Sequence, residues 1–263
     1  MNMNDIKQIN VVKIGGNVID NADALERFVN DFAQLPSPKI LIHGGGKLAT
    51  RLSEKLEIPT QMIDGRRVTD RDTLDVVTMV YAGLVNKQIV AKLQAAGCNA
   101  IGLSGADADV IPARRRSPIP VDFGFVGDID AGNINTDFIA TLLKSGVTPV
   151  FCAITHDGKG SLLNSNADSI ASAVAVASAA IAPTFMHFCF EKTGVMRDVD
   201  DSTSLIKEIT PAYYVELRES GVVNKGMIPK IDNAFVAVKS GVKSVAIKHS
   251  DNLLSDIGTV IKL

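Results

Sequence analysis

Short apolar runs that end in glycine recur along the chain, each followed by a longer stretch with apolar residues three and four apart. Val11-Val12-Lys13-Ile14 reads as a buried strand stopping at Gly15-Gly16, and the spacing beyond it predicts a helix over 23–32. Lys39 to Ile42 repeats the strand, stopping at His43-Gly44-Gly45-Gly46, with a helix predicted over 47–56. Gln61-Met62-Ile63 reads as a further short strand. A long helical pattern covers 70–96, and Gly97 supplies its stop before a strand at 100–103. Alternating apolar residues, prolines and glycines over 110–126 predict a hairpin rather than a helix. A helix at 137–144, a strand at 147–153, an Ala/Ser-rich helix starting near Asp168 and a strand at 184–190 follow. Helices at 211–219 and 228–239 and a closing strand at 244–248 end the series.

Alternation of this kind implies an α/β fold with a largely parallel sheet covered on both faces. No internal repeat, low-complexity tract or linker interrupts it, so any division into lobes must fall inside one continuous sheet. The expected boundary lies near residue 175, giving an N-terminal lobe over 1–175 and a C-terminal lobe over 176–263. The apolar stretch 170–190 is broken by Pro183 and rich in Ala and Ser, which suits a closely packed helix and a new strand better than a membrane span.

Composition narrows the possibilities. The 263 residues include 27 basic and 29 acidic side chains, a net charge of −2 that argues against a nucleic-acid footprint. Three widely separated cysteines, Cys98, Cys152 and Cys189, form no CxxC pair, and the expectation is a soluble protein of the reducing cytoplasm. Four histidines without HxxxH spacing make a zinc site improbable, and no metal-binding residues are expected.

The candidate chemistry lies at the strand ends. Glycines there let backbone N–H groups approach an anion, and the helix opening at Lys47 adds its N-terminal dipole. Each cluster taken alone reads equally as a tight turn; two neighbouring clusters point to phosphate. No GxxxxGK[ST] run is present, while Gly44, Gly46 and Ala49, with Asp64 about 20 residues beyond Gly44, loosely fit a dinucleotide fingerprint. That keeps a hydride-transfer enzyme open. Lys13, two residues before Gly15, is either an edge lysine or an ammonium emerging beside the loop. Gly226-Met227-Ile228-Pro229-Lys230 offers a second lysine at a helix start, and Leu163-Asn164-Ser165-Asn166-Ala167-Asp168 offers two amides and a carboxylate at another. Asn166 or Asp168 reads also as an N-cap or first-turn residue.

Together, Lys13-Ile14-Gly15-Gly16, His43-Gly44-Gly45-Gly46, Gly65-Arg66-Arg67-Val68-Thr69, Asn164-Ser165-Asn166-Ala167-Asp168 and Gly226-Met227-Ile228-Pro229-Lys230 resemble the amino acid kinase family over almost the whole chain. The resemblance is strongest to members that phosphorylate an N-acylated glutamate. It implies a three-layer αβα sandwich, with the N-terminal lobe binding the acyl-glutamate and mediating dimerisation and the C-terminal lobe binding ATP. It implies transfer from ATP, with Mg²⁺ carried by the nucleotide, to the γ-carboxylate of N-acetyl-L-glutamate. Matched residue by residue, Lys13 and Lys230 are the transition-state lysines and Asp168 holds both in place. Gly45 and Gly46 approach substrate and phosphoryl group, Arg67 pairs with the α-carboxylate, and Asn164 contacts substrate. Gly15, Gly16, Glu191, Gly194, Val195, Val222, Val223, Asn224 and Gly226 match the nucleotide side. A γ-carboxylate is already ionised at neutral pH, so this chemistry needs cations and N–H donors rather than a general base.

Glu191-Lys192 stands where the family usually has an aspartate and an apolar residue. Arg66 replaces a frequent leucine, and with Arg114-Arg115-Arg116 it is either a solvated loop charge or a cation for a second carboxylate, as on an N-succinyl group. Only about ten residues precede Val11, so the resemblance implies an arginine-insensitive homodimer.

Overall fold

The computed structural model describes residues 6–63, 65–198, 200–201, 203–223 and 227–263. The expectations placed on Asp64, Asn224 and Gly226 lie outside the described residues. β1 (Ile9–Ile14) leads through α1 (Gly16–Ile19) and α2 (Ala22–Gln34) to β2 (Lys39–His43) and α3 (Gly46–Lys55). The two-residue strands β3 (Met62–Ile63) and β4 (Arg66–Arg67) form a small antiparallel pair. One continuous helix, Arg71–Ala95, contains α4 (Arg71–Thr78), a π-helical segment (Met79–Val85) and α5 (Asn86–Ala95). Next come β5 (Ala100–Leu103), β6 (Ala113–Arg115), β7 (Val126–Ile129), α6 (Thr136–Lys144), β8 (Thr148–Cys152), β9 (Ile154–His156) and β10 (Leu162–Ser165). α7 (Ala167–Ala179), β11 (Thr184–Phe190), β12 (Glu208–Ile209), α8 (Pro211–Glu219), α9 (Ile228–Lys239), β13 (Ser244–His249) and β14 (Thr259–Ile261) follow.

An eight-stranded sheet in the order β12-β14-β13-β11-β1-β2-β8-β5 forms the centre. From β13 to β5 every pairing is parallel, and β14 runs antiparallel to β13 at the far side. All five residues of β2 and of β8 are buried. Successive strand residues point to opposite faces, so both faces of the sheet are covered and the fold is a layered α/β sandwich. β2 and β8 lie on one side of β1, β11 and β13 on the other. The strand order therefore reverses at β1, and parallel sheets bind ligands outside the carboxyl ends of strands at such a point.

The apolar stretch 170–190 resolves into α7 and β11. α7 packs on β1, β2 and β11 and also against α9, and Ala171, Ala175 and Ser178 are fully or nearly fully buried at these contacts. Small side chains bring the helix close to the strands and to its neighbour. Among the described residues, Arg71–Ala95 is the helix long and apolar enough to cross a membrane. It buries Leu74, Val77, Val80, Val85, Ile89 and Leu93 at 1% exposure or less, the pattern of a core helix.

The expected hairpin is present, but displaced. β6 pairs antiparallel with β7 through Ala113↔Ile129 and Arg115↔Gly127, and β7 begins where the second arm was expected to end. β7 then pairs parallel with β10, making a second sheet in the order β6-β7-β10-β9. Proline at 118 and 120 postpones the return strand, because proline cannot donate to a ladder.

Two histidines, buried His43 and half-buried His187, are held neutral. Asn86 Nδ2 donates to His43 Nε2 at 3.0 Å, leaving Nδ1–H to donate to the Gly44 carbonyl at 2.8 Å. Burial, with Lys87 nearby, lowers the His43 pKa to about 4, and burial with Lys248 nearby does the same for His187. Unfolded imidazoles take up protons from about pH 6.5 downward, while the folded ones stay neutral until about 4. Stability should therefore fall as pH drops through that window, by up to ~3 kcal/mol per histidine. Thermal melts at pH 7.5, 6 and 5 check this, and His187→Gln should reduce the slope by about half.

Candidate active site

Three charged side chains from distant parts of the chain meet beyond the ends of β1 and β11. Lys13 Nζ lies 2.7 Å from Asp168 Oδ1, and Lys230 Nζ donates to Asp168 Oδ2 at 2.5 Å. Lys13 is carried by β1, Asp168 by the first turn of α7, and Lys230 by the first turn of α9, which packs on α7. Asn166 is the N-cap of α7, its Oδ1 accepting from the backbone N–H groups of Asp168 and Ser169. The local fold thus gives the capping task to Asn166 and leaves the Asp168 carboxylate free for the lysines. Pro229 at the start of α9 sets the backbone for Lys230 without wasting a donor.

All three side chains are 20% exposed or less. Burial alone would push the Asp168 carboxyl up; the two ammonium groups outweigh it and hold the pKa at about 2. Lys230 is lowered by burial and by Lys13, with Asp168 and Glu191 pulling the other way. Glu191 is thus close enough to act on Lys230 while itself exposed. Two cations share one anion, so the cluster carries a net positive charge in a largely buried site.

A cavity of about 180 Å³ adjoins this cluster, lined by Gly44, Gly45, Gly46, Arg66, Arg67, Tyr81, Arg116, Asn164 and the Asn166–Ala167 pair that precedes Asp168. Gly45 caps α3 with no side-chain hydrogen bond, leaving the first-turn N–H groups without a side-chain acceptor. A Cβ at Gly45 would fall 2.9 Å from Tyr81 Cδ1, so the close passage of this loop over the aromatic ring requires glycine. Gly16 opens α1, and a Cβ there would meet nothing within 4 Å. Gly15 is different: its N–H donates to the Cys189 carbonyl at 2.8 Å, so it ties β1 to β11 and has no donor left for an anion.

Arg67 is 7% exposed, and its Nη2 donates to the Gly46 carbonyl at 2.9 Å and to Thr50 Oγ1 at 2.7 Å. Asn164 Nδ2 donates to Thr69 Oγ1 at 3.0 Å. These partners fix both side chains at the cavity wall. Thr50 and Tyr81 carry no sequence signal for a site, and Thr69 enters only as the last residue of the 65–69 motif, with no role of its own. They occupy ordinary helix, loop and π-helical positions, and only the fold brings them to Arg67 and Asn164.

On the C-terminal side the picture is looser. Val195 and Val223 are buried in the apolar core at 2% and 4% exposure, and Val222 is half-buried. Gly194 packs so tightly that a Cβ would meet Thr259 Oγ1 at 2.6 Å, and Val195 N–H donates to the same hydroxyl. Among the described residues, no group of three or more His, Cys, Asp or Glu side chains is arranged to hold a metal ion.

The arginine run begins on a strand rather than in a loop, with Arg114 and Arg115 exposed to solvent and Arg116 half-buried. Arg114 and Arg115 lie on β6, with the Arg115 guanidinium stacked 4.4 Å from the Phe125 ring centre and donating to the Gly124 carbonyl. Arg116 turns the other way, toward the cavity, and is ion-paired with Asp128.

Residues 8–249 match the amino acid kinase family. An acetylglutamate kinase from Cytophaga hutchinsonii is 50% identical over 251 residues, covering 95% of this chain and 94% of that protein. The acetylglutamate kinase of Phocaeicola vulgatus is 46% identical, over 97% of this chain and 99% of its own length. Among solved structures, a Streptococcus mutans protein superposes with a TM-score of 0.80 at 31% identity, over 97% of this chain and 98% of its own. The Giardia lamblia carbamate kinase bound to AMP-PNP shares the fold at a TM-score of 0.66 and 13% identity, over 97% and 98%.

Proposed function

This chain belongs to the amino acid kinase family, and from that premise we propose that it transfers the terminal phosphoryl group of ATP to the γ-carboxylate of N-acetyl-L-glutamate, giving N-acetyl-L-glutamyl 5-phosphate and ADP. The reaction is the second step of arginine biosynthesis. The observation that carries the reading is the pairing of Lys13 and Lys230 through one buried carboxylate, beside a glycine-lined cavity with a fixed arginine.

The acceptor is already an anion, so no proton need be removed and no general base is required. The obstacle is bringing a carboxylate against a triphosphate and stabilising the charge that spreads over the transferring group. Lys13 and Lys230 supply two ammonium groups, brought from β1 and α9 onto the two oxygens of one carboxylate. The N–H groups at the start of α3, around Gly45 and Gly46, add donors that need no reorganisation. Asp168 holds both lysines in place and favours the charged form of Lys230, and takes no proton itself. Arg67 receives the α-carboxylate and Asn164 a polar group of the acylated amine.

The nucleotide lies toward the C-terminal lobe, 176–263, over Gly16, Glu191, Gly194 and Val222, with the acyl-glutamate on the N-terminal lobe, 1–175. Val195 and Val223 lie buried beneath it and act through packing, since the Val195 N–H is spent on Thr259 and the Val223 N–H on the Leu217 carbonyl. Magnesium travels with the nucleotide phosphates. The three buried free cysteines suit a cytoplasmic enzyme. Two copies pair through the N-terminal half in this reading, where Met79, Leu84 and Ile101 are among the exposed apolar side chains.

A coupled assay of ADP release tests the reading across N-acyl-glutamates, glutamate, aspartate, carbamate and UMP, with hydroxylamine trapping of the acyl phosphate. Turnover should be confined to N-acyl-glutamates; faster turnover on any other acceptor would overturn it. Hydride transfer to a nicotinamide leaves the Lys13–Asp168–Lys230 cluster without a task, and absence of any nicotinamide absorbance change is the expected companion result.

A further inference from the structure

Resting on the acyl-glutamate reading above, we propose that the preferred acceptor carries a second carboxylate at the end of its acyl group, received by Arg66 and Arg116. N-succinyl-L-glutamate is then a better substrate than N-acetyl-L-glutamate.

The argument begins where the small cavity opens. Gly65, Arg66 and Arg116 line both the 180 Å³ cavity and a neighbouring one of about 1000 Å³. An acetyl group ends in a methyl and calls for a closed apolar wall. Here Met62, Val126 and Ala153 give the small cavity apolar lining that suits the first carbons of an acyl chain, but Arg66 and Arg116 line both it and the larger chamber, so a longer acyl chain meets two guanidinium groups.

Arg116 is held in a specific way. Its Nε donates to Asp128 Oδ1 at 3.0 Å and to Oδ2 at 3.2 Å, and its Nη2 donates to Oδ1 as well. The Phe123 ring lies 5.5 Å from its central carbon. Asp128 and Phe123 thus fix the plane of the guanidinium through one edge. The remaining nitrogen, Nη1, is buried and has no hydrogen-bond partner. A buried donor left unpaired costs about 1–3 kcal/mol, and an incoming carboxylate oxygen removes that cost.

Arg66 supplies the net charge. Arg116 and Asp128 neutralise each other, whereas Arg66 forms no ion pair among the described residues. It stands beside Arg67 on β4 but on the opposite side of the strand, exposed where Arg67 is buried. Ile63, its partner across the β3–β4 pair, lines the same chamber and suits the methylenes of a succinyl chain. Arg114 and Arg115 take no part, since they line a different cavity. A site built to pair a polar group discriminates strongly against the analogue that lacks it.

Initial rates with saturating ATP on the two acyl-glutamates test the proposal. Wild-type kcat/KM should favour N-succinyl-L-glutamate by at least about 10-fold, mostly through KM, because the second carboxylate is remote from the reacting oxygen. Arg66→Leu and Arg116→Lys should each lower the succinyl-to-acetyl ratio about 10-fold or more. Thermal shift gives a readout independent of turnover, with N-succinyl-L-glutamate raising Tm more than the acetyl compound in wild type but not in Arg66→Leu. A wild-type preference for acetyl overturns the second-carboxylate proposal and leaves the kinase reading intact. An equal loss on both substrates in Arg66→Leu also overturns it, by assigning Arg66 to the shared α-carboxylate. Phosphorylation of neither compound overturns both readings.

Discussion

Lys13→Ala and Lys230→Ala should each reduce kcat by ~10²–10⁴-fold while leaving a folded protein, because each removes a cation aimed at charge that develops only in the transition state. KM for the acyl-glutamate should change far less, since Arg67 and Asn164 hold the parts of the substrate that do not react. The variants remain folded because Asp168 keeps one ammonium partner in either case. Breaking a buried pair outright costs about 3–5 kcal/mol, and losing one of two partners costs less. For a chain of this size about 1 kcal/mol moves Tm by roughly 2–4 °C, so a fall of less than ~10 °C is expected. Steady-state kinetics alongside thermal melts separates the two effects. Turnover within about 10-fold of wild type in either variant would remove that lysine from the chemistry.

The reach of the sequence depended on how local each signal was. Lys13, Gly15-Gly16 and Gly44-Gly45-Gly46 sit within a few residues of the strand ends that position them, so hydrophobic patterning alone put them at one edge of a parallel sheet. The Ala/Ser run announced the close packing of α7 for the same reason. Asp168 and Lys230 are 62 positions apart, and their meeting depends on α9 lying against α7, which no spacing encodes. Family resemblance anticipated their roles; residue chemistry alone left Asp168 as a possible cap, a task that Asn166 performs. Gly15 shows the converse, a glycine in the right motif whose N–H is spent on the sheet. Arg116 was legible only as one of three consecutive charges. Arg114 and Arg115 pair within β6–β7 and line a different cavity, and the parallel β7–β10 pairing that frames this one joins segments nearly forty residues apart.

Asp168 is the residue whose loss should cost most, in both stability and turnover. Asp168→Asn keeps the shape of the side chain and the α7 cap at Asn166, but it leaves two ammonium groups facing each other without an anion. The expected cost is about 3–5 kcal/mol, with kcat falling at least as far as in either lysine variant because both cations lose their aim. Two opposing pH signatures identify the cause. In wild type the carboxyl is held at about 2, below its unfolded value of 3.8, so its contribution is complete above about pH 4 and is lost as pH falls toward 2. That contribution, ~2 kcal/mol from the carboxylate alone, is offset in part by Lys230, which burial and Lys13 already lower from 10.5. Removing the carboxylate removes the main group opposing that lowering. The unfolded chain then binds more protons across a wider alkaline window, and Asp168→Asn should gain stability relative to wild type as pH rises through it. Asp168→Glu restores the charge one methylene too far out, and it should recover most of the lost Tm while recovering little of the lost kcat. Melts of the three proteins from pH 3 to 10, paired with kcat at each pH, test the assignment. A flat difference between Asp168→Asn and wild type across the alkaline range would mean that the carboxylate does not hold Lys230 in its charged form.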